Sequence, residues 1–145
     1  MGIGLRAQKY ILEMGLKSVA ILNKGKENIT KLLVNLGSPY SYYAIGVGND
    51  GTDATENDNP LKGSEQSWKD ANRSYFKDGN GSYIAQWNAT FNYGDLPSNS
   101  LKEIGIAQNI TNGTVNGLIR ITFDEIILGS GSSVNFQIQI SPTQG

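Results

Sequence analysis

The chain has 145 residues, a formal net charge of −1 and only 17% charged residues, and it contains neither Cys nor His. This length suits one domain with a sizeable core. The two missing residue types exclude disulfides, Cys/His zinc sites, thiol nucleophiles and His-based triads, so we expect a protein without catalytic residues, cofactor or metal. With 18 Gly and 15 Asn, the composition favours many turns and few long helices.

Charge is distributed unevenly along the chain. Residues 1–36 carry a net +4 and residues 37–145 a net −5. Two interpretations stay open: solvated surface charge, or a basic N-terminal arm at residues 1–25 that docks on an acidic neighbour such as a second copy. Candidate assembly residues in this arm are Arg6, Lys9 and Lys17. The basic residues are spaced singly, without interleaved aromatics, so no nucleic-acid partner is expected.

No apolar stretch approaches the roughly 20 residues of a membrane span, and no secretory signal peptide is visible. We therefore expect no membrane partner.

The first regular element in the pattern is a short amphipathic helix at 27–36. Its apolar residues Ile29, Leu32, Leu33 and Leu36 fall at i, i+3, i+4 and i+7, and Gly37 follows as a C-cap. This spacing predicts a helix that packs on the core of a single domain at 26–145. A second helix at 5–14 is conceivable, and 18–22 is typical of a short strand or an extended arm.

From residue 40 onward the apolar period becomes two. Strands are predicted at 42–48, near Tyr75 and Phe76, and at 83–92, 101–107, 118–123 and 133–140. The last is the most regular, with Val134, Phe136 and Ile138 on one face, and we predict that it is a sheet edge available for assembly. Short strands between turns predict an all-β, antiparallel, jelly-roll-like β-sandwich with one short N-terminal helix and an arm.

Acidic residues concentrate in the polar loop 49–60, which carries Asp50, Asp53, Glu56 and Asp58. Their spacing does not match an EF-hand, so a solvated turn is favoured over a calcium site. The adjacent acids at 124 and 125 are typical of a polar strand end rather than of a glycosidase pair.

Tyr40, Tyr42 and Tyr43 cluster where the first long strand begins. Such rings either close the end of a sandwich core or form a platform on which a sugar stacks. The second interpretation supports an alternative function, a carbohydrate- or receptor-binding module that takes a host-surface glycan during adsorption.

Several short motifs follow one another between residues 27 and 141. A helix ending in KLLVNLG (31–37) precedes YAIGVG (43–48), the loop 51–65 and strands at 101–107, 118–123 and 134–138. This order resembles that of structural proteins, of tail-fibre or head-decoration type, of tailed bacterial or archaeal viruses. Ala107 stands where that group has an aromatic residue, and residues 1–25 have no clear counterpart.

The resemblance implies a non-enzymatic virion protein, an accessory head (decoration or turret) or tail (fibre or baseplate) component. It would act as a homo-oligomer and contact other virion proteins.

Overall fold

The structure, a computed structural model, describes residues 2–7 and 15–143, with the side chains of residues 15–142. Its elements in chain order are β1 (Gly2–Ala7), β2 (Leu16–Ile21), α1 (Asn23–Val34), β3 (Ala44–Gly48), β4 (Gln66–Asp70), β5 (Asn72–Lys77), β6 (Tyr83–Asn92), β7 (Ser100–Ala107), β8 (Gly117–Ile127) and β9 (Ser133–Thr143).

The strands form two antiparallel sheets. One has four strands in the order β1-β9-β6-β5, and the other has five in the order β2-β8-β7-β3-β4. Alternate residues of both sheets build one apolar core, in which the Phe123 and Phe136 ring centroids lie 5.4 Å apart. The predicted all-β, antiparallel, sandwich-like fold is confirmed at this level.

The described part of the predicted N-terminal arm belongs to both sheets. Strand β1 pairs with β9, which places Arg6 opposite Gln139, and β2 pairs with β8. Residues 5–7 are therefore strand rather than the start of a helix, while the rest of the predicted 5–14 helix, including Lys9, lies outside the described residues. Lys17 is exposed on β2 and stays a candidate assembly residue.

The prediction that residues 133–140 form a sheet edge is wrong. Strand β9 lies between β1 and β6, so both of its edges are paired. Phe136 and Ile138 are completely buried, and Val134 packs against the same core. Regular alternation indicates that one face of a strand is buried, but it does not show whether other strands pair with the two edges of that strand. These three residues therefore stabilise their own chain's core.

Helix α1 begins four residues before the predicted start at residue 27 and ends two residues before the predicted end at residue 36. Asn35, with φ 52°, takes the left-handed cap position in place of Gly37. The predicted buried face is correct only at Ile29, which is partly buried and packs against the core. Leu32, Leu33 and Leu36 are 44%, 77% and 69% exposed, so the rest of that face is not buried.

The fully buried residues of α1 are a small and a polar one, Gly25 and Asn28. A Cβ on Gly25 would lie 2.7 Å from the Leu118 carbonyl oxygen, so this glycine allows the helix to approach β8 closely. The Asn28 side chain is buried and bonded to the backbone of Tyr40, accepting from its N–H (3.0 Å) and donating to its carbonyl (2.7 Å). Hydrophobic periodicity cannot detect contacts of this kind, because neither residue is apolar and bulky.

Candidate functional site

Residues 49–65, here called the covering loop, lie over the face of the five-stranded sheet that points away from the core. Glycines in the sheet make room for it. A Cβ on Gly105 would lie 2.4 Å from the Pro60 carbonyl oxygen, and one on Gly117 would lie 2.7 Å from the Pro60 Cβ. Pro60 and Leu61 are buried in this contact. Glycine in a strand often marks such a close backbone approach.

Glu103 on β7 fixes the covering loop at both ends. Its carboxylate is completely buried and accepts four hydrogen bonds. Oε1 accepts from Arg120 Nε (3.0 Å) and the Lys62 N–H (2.7 Å), while Oε2 accepts from the N–H groups of Asp50 (3.0 Å) and Gly63 (2.7 Å). Full satisfaction of this kind makes a buried carboxylate tolerable.

Arg120 on β8 fixes the middle of the loop and is also completely buried. Its Nη1 donates to the Thr52 carbonyl (2.8 Å) and to Asp58 Oδ2 (3.1 Å). Its Nη2 donates to the Asp50 carbonyl (3.0 Å) and lies 3.4 Å from Asp50 Oδ1. With Nε on Glu103, all five guanidinium N–H groups have an acceptor. The Glu103–Arg120 anchor is therefore a closed ionic network.

The loop carboxylates of this network are held in their ionised form. Hydrogen bonds from the hydroxyl and N–H of Thr52, together with Arg120 and Lys62, lower the pKa of Asp50. Burial raises the pKa of Asp58, but hydrogen bonds from Thr55 and the charges of Lys62 and Arg120 outweigh it, so the net pKa is also lowered. Both groups are expected to stay charged at neutral pH and to balance the guanidinium.

The prediction of a solvated turn at 49–60 is therefore correct only for the residues that point outward. The loop's outer residues are exposed, but its backbone is bound to the sheet through Glu103 and Arg120. Within the part of the chain that the structure describes, no three Cys, His, Asp or Glu side chains lie together as metal ligands. Glu56 instead bonds to Lys26 of α1 at 2.6 Å. Because every donor and acceptor of the anchor is used internally, its chemistry positions a loop.

The three clustered tyrosines do not share one surface. The Tyr42 ring is buried in the core and meets Tyr40 edge-on, with centroids 5.6 Å apart. Burial raises the pKa of Tyr42 to about 12, and its hydroxyl, close to Asn28, has no hydrogen bond of good geometry. Tyr43 is 43% exposed, but the guanidinium of Arg73 covers one face of its ring at 4.0 Å. The arrangement closes the core and does not form a three-ring sugar platform.

The adjacent acids Asp124 and Glu125 lie within β8, at an irregularity in its pairing with β7. Both are exposed, and Glu125 accepts from the Ser100 hydroxyl while its carboxylate lies 3.7 Å from Lys102 Nζ. The predicted strand end at these residues is wrong, because β8 continues through them to Ile127.

Glu103 and Arg120 were not singled out from the sequence. A signal for them exists in β3, β7 and β8, where Gly46, Gly105 and Arg120 each stand between two apolar residues and Glu103 directly precedes Ile104. Glycine at 46, 48 and 105 beside two lone charges indicates a sheet face covered by another part of the chain rather than by water.

Among the described residues, no helix combines the length and apolar character needed to cross a membrane. The chain matches no protein-family model, and comparisons with curated proteins and with solved structures give no match either. Function must therefore be inferred from the molecule's own surfaces.

Proposed function

We propose that the protein is a non-enzymatic structural component of the virion of a tailed bacterial or archaeal virus, an accessory head or tail component that works by self-assembly. The order of motifs between residues 27 and 141 supports the viral part of this proposal. A jelly-roll-like winding belongs to it as well, supported by nested pairing: β1 with β9, β2 with β8 and β3 with β7.

The observation that carries the proposal is the exposed apolar surface of the β5–β6 hairpin. All six residues of β5 are exposed, and Tyr75, Phe76 and Tyr83 are 85%, 39% and 61% exposed. Tyr75 lies opposite Ala85, so Tyr83 is its diagonal neighbour on the same face. Phe76, the next residue in the strand, points to the opposite face. Single exposed apolar residues are ordinary, but two neighbouring rings at a sheet edge are typical of an interaction surface.

A second apolar surface lies at the end of α1. Leu33, Val34 and Leu36 are 77%, 62% and 69% exposed. These two patches lie on a body whose covering loop is fixed by the Glu103–Arg120 anchor. A rigid body with exposed apolar patches suits a protein whose role is to be held by its neighbours.

Measurement of molar mass in solution tests the self-assembly. We expect light scattering to show concentration-dependent oligomers, and Leu33→Ser or Tyr75→Ser to shift the chain toward monomer. Ile127→Ser is the matched control, because Ile127 is also 69% exposed but lies on β8, away from both patches. A chain that stays monomeric at every concentration, or that responds equally to all three substitutions, contradicts self-assembly through these surfaces.

Immunogold labelling of particles released by the host that carries this sequence tests the virion location. Label on assembled heads or tails is the expected result. Particles that form without the protein bound to them would contradict the viral role.

A further inference from the structure

Strand β5 has an unoccupied edge among the described residues, and it differs in exposure from the edge strands β2 and β4. It pairs with β6 only, and it is the only strand with fully described side chains in which every residue is exposed. A shallow groove of about 440 Å³ follows residues 71–75. By contrast, the Ser18 hydroxyl of edge strand β2 accepts from the covering loop at the Ala54 N–H, and most residues of β4 are half-buried. Among the edge strands whose side chains the structure describes, sheet growth is therefore least obstructed at β5.

We propose that β5 pairs antiparallel with β5 of a second copy of this chain, with Ser74 on the twofold axis. The four-stranded sheet would then continue across the interface as an eight-stranded sheet. This inference rests on the proposed function and specifies its first contact.

Symmetry restricts the register of such a pair. In an antiparallel ladder, residues whose backbone groups point toward the partner must face residues that also point toward the partner. For two identical strands, opposite residues must then have numbers of the same parity. The twofold axis therefore passes between one residue and its own copy, and that residue is described as lying on the axis. In a six-residue strand, Ser74 and Tyr75 are the central choices.

Charge selects between these two registers. With Tyr75 on the axis, Arg73 would lie opposite Lys77 twice, and like charges directly opposite one another are destabilising. With Ser74 on the axis, Arg73 lies opposite Tyr75, and Asn72 lies opposite Phe76. Each copy then contributes a guanidinium to an exposed ring of the other, a favourable cation–π arrangement.

Arg73 already makes one contact of this kind within its own chain. Its guanidinium lies 4.0 Å from the centroid of the Tyr43 ring, on the same chain. Tyr75 is 85% exposed, so it loses few contacts within its own chain when it reaches the second copy. The pair would bury aromatic surface that the single chain leaves in water.

Single-cysteine variants test the register, because the chain has no cysteine of its own. Directly opposite residues have Cα atoms about 4.5–5.5 Å apart, within the range that a disulfide bridges. We expect Ser74→Cys to form a covalent dimer as the predominant species under mild oxidation. Tyr75→Cys should not, because diagonal Cα atoms lie about 7–8 Å apart.

A mixture of two further cysteine variants supplies a control in which Arg73 and Tyr75 stay unchanged. Asn72→Cys and Phe76→Cys should each remain uncrosslinked alone and form a mixed dimer when oxidised together. A covalent dimer of Tyr75→Cys in place of Ser74→Cys would overturn the proposed register.

Light scattering on the unmodified chain distinguishes failure of the β5 pairing from failure of self-assembly as a whole. Oligomers in which no β5 cysteine crosslinks would overturn this inference and leave the proposed function standing. A strictly monomeric chain would overturn both.

Discussion

Replacement of Glu103 by Gln tests the anchor of the covering loop with almost no change in side-chain shape. One carboxylate oxygen becomes an NH₂ group, and either position faces two donors: Arg120 Nε and the Lys62 N–H, or the N–H groups of Asp50 and Gly63. Two buried donors then lose their acceptor, at about 1–3 kcal/mol each, and the other two bonds lose their charge assistance. Arg120 also loses its buried counter-charge. We expect the free energy of unfolding to fall by about 3–5 kcal/mol.

This loss is large beside the roughly 5–15 kcal/mol that stabilises a typical domain. Urea unfolding followed by tryptophan fluorescence and circular dichroism measures it, and limited proteolysis should cleave the covering loop faster in the variant. Glu125→Gln is the control, because Glu125 is a partly exposed carboxylate whose loss should cost less than about 1 kcal/mol. If Glu103→Gln unfolds within about 1 kcal/mol of the unmodified chain, the anchor does not hold the loop as described.

Two further predictions concern the same sheet face. Gly105→Ala would place a Cβ 2.4 Å from the Pro60 carbonyl oxygen and should lower the free energy of unfolding by about 1–3 kcal/mol. Gly79→Ala is the control and should be neutral, because nothing lies within 4 Å of its Cβ. Equal urea midpoints for the two variants would contradict the close approach. Acid should destabilise the fold, because the pKa of Asp58 lies below its ordinary value of 3.8. The stability that ionised Asp58 contributes is complete above pH 3.8 and is lost as the pH falls through the lowered pKa. Urea titrations from neutral pH to about pH 3 should show that Asp58→Asn loses less unfolding free energy with acid than the unmodified chain does. Parallel losses in the two chains would contradict this role of Asp58.

Strand positions were the most predictable feature of this chain. The predicted strand 83–92 coincides with β6, and the predicted strand 101–107 differs from β7 by one residue. Alternation of apolar and polar residues reports burial on one face, which is a local property. At β4, half-buried on an edge of its sheet, the alternation is weaker, and the sequence predicted no strand at residues 66–70.

Pairing partners and covered faces were less predictable, because they depend on distant residues. The β1–β9 pair joins the two ends of the chain, and nothing in residues 133–140 indicates that a first strand covers their edge. The exposed leucines of α1 show the same limit. Their spacing fits a buried face, but the contact with β8 goes through Gly25, which fixes the helix in a different rotation.

The candidate site was missed because its residues resemble ordinary surface charges. Arg120 alternates with Ile119 and Ile121 as a solvent-facing residue would, yet it is completely buried. Only the partners distinguish the two cases, and these partners come from a loop more than sixty residues earlier in the chain.

The composition of the covering loop explains why the sheet face is held by charges rather than by apolar packing. The loop is rich in Asp, Asn, Thr and Gly, and Leu61 is its one fully buried large apolar side chain. Hydrophobic burial alone would therefore leave its N–H and carbonyl groups unsatisfied against the sheet. Glu103 accepts from three of those N–H groups, and Arg120 donates to two carbonyls, so one pair of side chains satisfies much of the loop's buried backbone. Apolar replacement of both partners, often harmless for a simple buried ion pair, should here stay destabilising because the loop's own backbone groups lose their partners.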